Sequence, residues 1–350
     1  MKRIVLLLRI EKIYGGAERR LGRVLNALDK MSELECTIYF TGESTGVKNF
    51  LKVERLTDIR YNFFESDFKC IKAIRKARFD TVWFFNINHM GLVLTFLPHK
   101  YRIVMTVANM YLSRFKFLHW RQKAAFGYLC RKVDMVDCLY PAALSEFKKR
   151  HYDNVKITPC PFINLSDFIP KNKSKNIVFA SRLIPAKNVE KAVDAIKKAK
   201  TDIKEAGFHV FIYGDGILKD KIVKKLKLYD MEEYVTLCGY ADMRDVLPYS
   251  KIFLSLSDLT NYPSQVLLES ISAGNYIVTI RDDDTSKIVD ENFCCFVDNS
   301  IEGISEGIKR AITETSSKKA DFIVKNARNF AEKNFNDNDS ISYFREILFN

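Results

Sequence analysis

One pattern, run through twice, constrains this chain more than any other: short apolar runs of strand length, separated by longer stretches whose apolar residues recur at helical spacing. The first set of runs covers residues 4–8, 37–40, 81–85, 102–107 and 135–139. The second covers residues 176–180, 208–213, 235–237, 252–256, 276–280 and 294–297. Runs that are apolar throughout predict strands buried on both faces, and such strands belong to parallel sheets whose crossovers are helices. The stretches between them suit that role. In residues 17–28, Leu21, Val24, Leu25 and Leu28 share one face while Arg19, Arg20 and Arg23 take the other. Residues 189–200, 218–228 and 265–273 are the helical patterns of the second half.

The pattern breaks near Pro159-Cys160-Pro161 and the polar run Pro170-Lys-Asn-Lys-Ser-Lys175, which has linker character. A chain of 350 residues is the right size for two domains. The expectation is an α/β fold of two doubly wound, Rossmann-like domains, residues 1–170 and 171–330, facing across a cleft. A helical tail, 331–350, would follow, with Phe335, Tyr343, Phe344 and Leu348 available to pack on one or both domains.

Several classes of protein are disfavoured. No apolar run approaches the roughly 20 residues that span a bilayer. The start, Met1-Lys2-Arg3 and five apolar residues before Arg9, lacks the apolar core of a secretory leader. A cytoplasmic chain is expected, with a peripheral place on the inner face of the plasma membrane as an option. The eight cysteines form no Cys-x-x-Cys pair, so reduced structural thiols are the default. The five histidines neither cluster nor pair with carboxylates at helical spacing, so no metal site is expected.

Charge is more telling. Residues 1–170 hold 29 Lys and Arg against 16 Asp and Glu, whereas residues 171–350 hold 27 of each, so the whole +13 belongs to the first half. Such a half suits an anionic partner: phospholipid headgroups, a phosphorylated acceptor or nucleic acid. A basic surface that only aids solubility would look the same. Nucleic acid is set aside because no reader motif is present.

Doubly wound sheets bind ligands at the carboxyl ends of their strands, where loops and helix N-termini offer N–H groups to anions. In the first half, Gly15-Gly16 stands between a strand and a helix and permits close backbone approach to a phosphate. A simple turn would have the same sequence. In the second half, Ser181-Arg-Leu-Ile-Pro-Ala-Lys-Asn188 occupies the matching place. Arg182 offers a planar fork and Lys187 a compact charge, a pair suited to a departing diphosphate. The alternative is an exposed basic loop with Asn188 capping the next helix.

Gly15-Gly-Ala-Glu18 together with residues 181–188 resembles glycosyltransferase family four, also called group 1. Further matches follow in order: Phe211-Ile-Tyr-Gly-Asp-Gly216, residues 235–240, Asn261-Tyr-Pro-Ser-Gln-Val-Leu-Leu-Glu269 and Ser272-Ala-Gly274. The resemblance is dense from residue 176 to 297 and confined mainly to residues 15–18 before that. It implies a GT-B fold and a glycosyltransferase that uses a UDP- or GDP-linked sugar, with no other cofactor, no metal and retention of anomeric configuration. By the same resemblance, Arg182, Lys187 and Glu269 are the catalytic candidates, with Glu269 taking the ribose hydroxyls. Gly15, Gly16, Gly214, Gly239, Tyr240 and Asn261 complete the donor site. A glycan or lipid-linked acceptor would sit on the first domain, in the building of a surface polysaccharide or glycolipid.

Three positions depart from the family. Its two glutamates eight positions apart are here Asn261 and Glu269. Its histidine near residue 107 is replaced by Ala108 and Asn109, although His89 follows an apolar strand nearby. Its glycine-rich loop is replaced by Arg281-Asp-Asp-Asp-Thr-Ser286, which would bind sugar hydroxyls or form a solvated turn. These changes sustain a second reading, a catalytically weakened GT-B-like scaffold at an anionic membrane. Residues 113–132 interleave Phe115, Phe117, Leu118, Trp120, Phe126 and Leu129 with Arg114, Lys116, Arg121, Lys123, Arg131 and Lys132. That composition suits a membrane interface, with Trp120, Arg121 and Lys123 as candidates, and equally a helix whose aromatics fill the core. His89 and Asn109 are candidates for acceptor contact.

Overall fold

The structure, a computed structural model, describes residues 1–10, 16–29, 31–53, 56, 58–109, 112, 115–158, 163–258, 260–262, 264–335 and 337–349, with backbone alone at 16–19, 53, 116 and 337–340. Gly15 and the 159–161 break therefore lie outside the described residues. The chain divides into two compact units, Met1–Phe162 with Asp337–Asn350, and Ile163–Asn336.

The first unit is a parallel sheet of seven strands: β1 (Lys2–Ile10), β2 (Leu34–Gly42), β3 (Arg60–Phe63), β4 (Thr81–Phe85), β5 (Arg102–Val107), β6 (Met135–Cys138) and β7 (Val155–Ile157). Their order is β3-β2-β1-β4-β5-β6-β7. The five expected strands are present. The two that the apolar pattern does not reveal, β3 and β7, are the sheet edges, where Arg60, Tyr61, Asn62 and Phe63 are all exposed and no continuous apolar run is needed. The first helix, Gly16–Asp29, buries Leu21, Val24, Leu25 and Leu28 as its spacing predicts.

Arg20 corrects the pattern. Its side chain is only 5% exposed, with the guanidinium 5.8 Å from the Phe344 ring. The reason is the C-terminal helix, Asp337–Phe349, which covers this face and places Tyr343, Phe344, Ile347 and Leu348 in the first unit's core. Thr81 Oγ1 donates to Leu348 O at 2.7 Å and Phe344 packs 5.6 Å from Trp83.

The second unit holds β8 (Ser174–Ala180), β9 (His209–Tyr213), β10 (Val235–Gly239), β11 (Ser250–Ser255), β12 (Tyr276–Ile280) and β13 (Cys294–Val297), parallel and in the order β10-β9-β8-β11-β12-β13. All six expected strands are there. The division between units differs from the expected one at 170/171 because the 3-10 turn Leu165–Phe168 packs into the second unit. Phe168 is buried, and the carbonyls of Leu165 and Phe168 accept from Arg328 Nη1 at 3.0 and 3.2 Å.

The run at 170–175 is not a linker. Lys171 N donates to Pro248 O at 3.0 Å, and Lys173 Nζ donates to Leu247 O at 3.3 Å, to Asn275 Oδ1 at 2.6 Å and to Ala273 O. The tail splits as well. Helix Ala320–Asn334 and Phe335 stay with the second unit, where Phe330 lies 5.3 Å from Phe293 and 5.9 Å from Phe335. Only Asp337–Phe349 returns to the first.

Candidate active site

In each sheet the strand order reverses once, between β1 and β4 and between β8 and β11. At such a reversal the loops leave to opposite sides and open a crevice at the carboxyl ends. In the second unit the loops after β8 and β11 meet there. The loop at 181–188 is held from below by the turn after β9: Ser181 N donates to Tyr213 O at 3.1 Å and Leu183 N to Asp215 O at 2.9 Å. Gly214 permits this approach. At φ +129° it has no side chain, and a Cβ would lie 1.8 Å from Ser181 O. Gly214 N donates to Gly239 O at 2.7 Å, which carries the support on to the end of β10. Gly239, at φ +71°, has open space where a Cβ would stand, and Tyr240 beside it is 69% exposed.

Asn188 does not cap helix Val189–Lys198 through its side chain. It adopts the left-handed conformation and turns its Nδ2 to Leu256 O at 2.9 Å, tying the loop after β8 to the end of β11. Asp258 N adds a bond to Ala186 O at 3.0 Å. This leaves Lys187 facing β11, where its Nζ donates to Ser257 Oγ at 2.7 Å. Neither Lys187 nor the exposed Arg182 has a carboxylate partner among the described residues. Burial, and then the charge of Arg182, push the Lys187 ammonium down to about 8. Two cations without a counter-charge make a site whose stable occupant is an anion.

Helix Gln265–Ser272 starts beside this pair, with Ser264 at its N-cap. Its other end is capped by cations: Lys173 reaches Ala273 O, and Arg328 Nη1 reaches Ser272 O at 3.1 Å. Cations at the C-terminus stabilise a helix whose N-terminus faces an anion site. Glu269 lies on this helix and is fully buried. Asn261 precedes it, 2% exposed, with Oδ1 accepting from Ser255 Oγ and Ser257 N, both at 2.9 Å.

The turn at 281–286 is not solvated throughout: Asp284 and Thr285 are buried, and Asp283 is exposed. Asp282 Oδ1 accepts from Thr260 Oγ1 at 2.8 Å and from Asp284 N and Thr285 N at 3.0 Å, and Oδ2 accepts from Thr285 Oγ1. Thr285 Oγ1 in turn accepts from Asn261 N at 3.1 Å. The aspartate thus staples the 260–262 loop in place, a role invisible in sequence because Thr260, the partner in that loop, lies 22 positions away.

In the first unit, Gly16 opens helix Gly16–Asp29 after β1. The loops after β4 and β5 are joined by Asn86, at φ +55°, whose Oδ1 accepts from Ala108 N and Asn109 N at 2.9 Å each. His89 Nδ1 lies 3.3 Å from Asp67 Oδ2, with Arg9 Nη1 4.0 Å from the same oxygen. Of the six apolar residues singled out at 113–132, Phe115, Leu118, Phe126 and Leu129 are buried, and Phe115 and Phe126 pack with Phe147. Phe117 and Trp120 alone among them are exposed, Trp120 by 66%, beside exposed Arg121 and Lys123, and the Arg121 guanidinium lies 5.3 Å from the Trp120 ring.

Among the described residues, no three His, Cys, Asp or Glu side chains gather as a metal site, and no helix is long and apolar enough to cross a membrane. Lys173, Ser257, Asp282 and Arg328 are the supporting residues that sequence reasoning passes over. The one available signal was the lysine-rich run at 170–175, which reads equally well as solvated chain.

The family described as "Glycosyl transferases group 1" matches residues 164–330, nearly the whole second unit. The Campylobacter jejuni N-acetylgalactosamine-N,N'-diacetylbacillosaminyl-diphospho-undecaprenol 4-alpha-N-acetylgalactosaminyltransferase is 28% identical over 306 residues, covering 75% of this chain and 77% of the relative. A second Campylobacter jejuni protein, an alpha-1,4-N-acetyl-D-galactosaminyltransferase acting on a diphospho-undecaprenol-linked glycan, is 23% identical over 257 residues, 65% of this chain and 70% of the relative. Anabaena HepE, crystallised with UDP and glucose, has the same fold, with a TM-score of 0.80 at 15% identity over 99% of both chains. The two Rossmann-like units are those of the GT-B fold, and the second of them matches the group 1 glycosyltransferases.

Proposed function

We propose that this glycosyltransferase moves a sugar from a UDP- or GDP-linked donor to a glycan or lipid-linked acceptor, with retention and without a metal, in the building of a surface polysaccharide or glycolipid. The observation that carries the reading is the Arg182–Lys187 pair at the carboxyl end of β8, two cations with no carboxylate partner among the described residues. As the acceptor hydroxyl adds to the anomeric carbon, the bond to the phosphate oxygen breaks, and the diphosphate leaves with the electron pair and takes up the hydroxyl proton. Fixed cations aimed at that growing charge lower the barrier. Glu269 would take the ribose hydroxyls, and Gly16, Gly239 and Tyr240 would border the nucleotide.

The lipid-linked acceptor is supported by the undecaprenol-linked substrates of the Campylobacter relatives. A peripheral place on an anionic membrane is supported by exposed Phe117, Trp120, Arg121 and Lys123 on the basic first unit. His89 and Asn109 remain the acceptor-side candidates. The scaffold reading keeps one support, the absence of a carboxylate at 261 and of an imidazole at 108.

Thermal stabilisation by UDP- and GDP-sugars, followed by nucleoside diphosphate release in the presence of polyprenyl-diphosphate-linked acceptors, tests the proposal. Binding that is lost in Arg182→Ala and Glu269→Ala, with turnover in the wild type, is the expected result. Binding without turnover would favour the scaffold, and no binding by any nucleotide sugar would overturn the proposal. The anomeric configuration of the product, read by NMR, tests retention, and undiminished turnover in EDTA tests the metal-free mechanism.

A further inference from the structure

Asn261 holds an amide whose two ends have different fates. The backbone N–H of Ser257 can only donate, so the atom it meets at 2.9 Å is Oδ1, which also accepts from Ser255 Oγ. Among the described residues Nδ2 is buried and has no hydrogen-bond partner. A buried donor in this condition costs roughly 1–3 kcal/mol unless something else satisfies it. Asn261 lines a cavity of about 20 Å³ together with Ser181, Lys187, Ser257 and Ser264. That is room for one water-sized group. Lys187 spends one proton on Ser257 Oγ and has two left, and the helix that begins after Ser264 turns N–H groups toward its own N-terminus.

The unspent hydrogen-bonding capacity of the amide and the ammonium is donor capacity. A carboxylate at position 261, the residue type of the family, is acceptor-only and would meet hydroxyl hydrogens. Asn261 has its only acceptor occupied and meets lone pairs. We propose that Asn261 is a binding residue for the donor substrate, its Nδ2 forming with Lys187 Nζ a one-oxygen pocket for a phosphoryl, carbonyl or carboxylate oxygen. This deepens the proposed function and rests on it. Three parts of a nucleotide sugar carry such an oxygen: the diphosphate, the base carbonyls, and an acetamido or carboxylate substituent of the transferred sugar.

The test is Asn261→Asp, which keeps the acceptor used by Ser255 and Ser257 and exchanges the amide nitrogen for a carboxylate oxygen near Lys187. The ligand-free variant should melt at or above the wild-type temperature, while affinity falls at least tenfold for the ligand that uses the pocket. Asn261→Ser, which removes Nδ2 without adding charge, should show the same selective loss. Calorimetry with uridine, guanosine, UDP, GDP and the hexose, N-acetylhexosamine and uronic acid conjugates of UDP and GDP separates the sources. Loss for UDP and GDP that is absent for uridine and guanosine assigns the pocket to the diphosphate, and loss for the nucleosides as well assigns it to the base. Unchanged nucleotides, with the substituted sugars reduced to the level of plain hexoses, assign it to the sugar. Variants that melt like the wild type and bind every ligand equally well overturn the inference alone. A wild-type chain that binds none of these ligands overturns the proposed function, and the inference with it.

Discussion

Tyr343 donates its hydroxyl to the buried carboxylate of Asp137 at 2.6 Å, across 206 positions of sequence. Asp137 also accepts from Thr158 Oγ1 at 2.7 Å and Thr106 Oγ1 at 2.8 Å, and Trp83 Nε1 donates to Thr106 Oγ1 at 2.8 Å. Burial, and then the neighbouring Asp137, push the phenol far above its ordinary value, so it stays a donor at every accessible pH. The bond fastens the C-terminal helix to the first sheet. Tyr343→Phe should lower stability by about 1.5–3 kcal/mol, the range for a hydrogen bond to a charged group. Urea unfolding checks it, and an unchanged midpoint would count against this anchor.

Arg182 is exposed and makes no ion pair among the described residues, so its removal should be almost silent in the fold. Arg182→Ala is expected to melt within a degree or two of the wild type. Turnover should drop by about 10²–10³-fold, the usual effect of removing a group that stabilises transition-state charge. A parallel loss of stability and activity would instead assign Arg182 a structural role.

Lys187 titrates near 8 in the empty site, and a bound diphosphate favours its charged form. Between about pH 8 and the ordinary lysine range the complex therefore holds a proton that the free protein has lost. Affinity for nucleoside diphosphate should fall as pH rises through 8, and binding at pH 8.5 should take up protons. Calorimetry in buffers of different ionisation enthalpy reads this directly. Lys187→Gln should abolish the uptake.

Lys173 is pushed down to about 7 by burial, although three carbonyl oxygens surround its Nζ. The unfolded chain binds the extra proton between pH 7 and 10.5, so stability attributable to this group rises with pH through that window. The gap between wild type and Lys173→Met should widen in the wild type's favour by up to about 1.4 kcal/mol per pH unit. Denaturation midpoints at pH 7, 8 and 9 provide the check.

Trp120, Arg121 and Lys123 share the first turn of helix Trp120–Lys132, on the surface of the basic unit. Replacing both cations by glutamate should weaken binding to vesicles containing anionic lipid by about 1 kcal/mol or more per residue. Trp120→Ala should weaken binding to neutral and anionic vesicles alike. Binding of the charge-reversed variant to anionic vesicles as tight as that of the wild type would exclude this face.

The strands most legible in the sequence were those buried on both faces. Residues 81–85 and 276–280 are apolar but for one threonine each because no face of a central parallel strand meets water, and both were found where expected. Edge strands β3 and β7 carry no such signature. At the site, the cations of 181–188 could be read from spacing alone, but their freedom from carboxylates could not. Asp282 shows why: its two partners in the turn, Asp284 and Thr285, are local, while Thr260, the partner that makes it a staple, arrives from another loop.

What the sequence determined by itself is what is periodic and local: the two sheets, the helices that cover them, and the turns that bring glycine and cations to strand ends. Burial acts on each segment through its own spacing of apolar residues, so that information is present without a partner. The tertiary structure decided which polar groups are satisfied. It turned a lysine-rich run into the cap of the helix bearing Glu269, returned the last helix to the first unit, and left one amide nitrogen of Asn261 without an acceptor. Hydrogen bonds and charges act between groups that meet in space, and residues 137 and 343, or 173 and 273, meet only after the chain has folded.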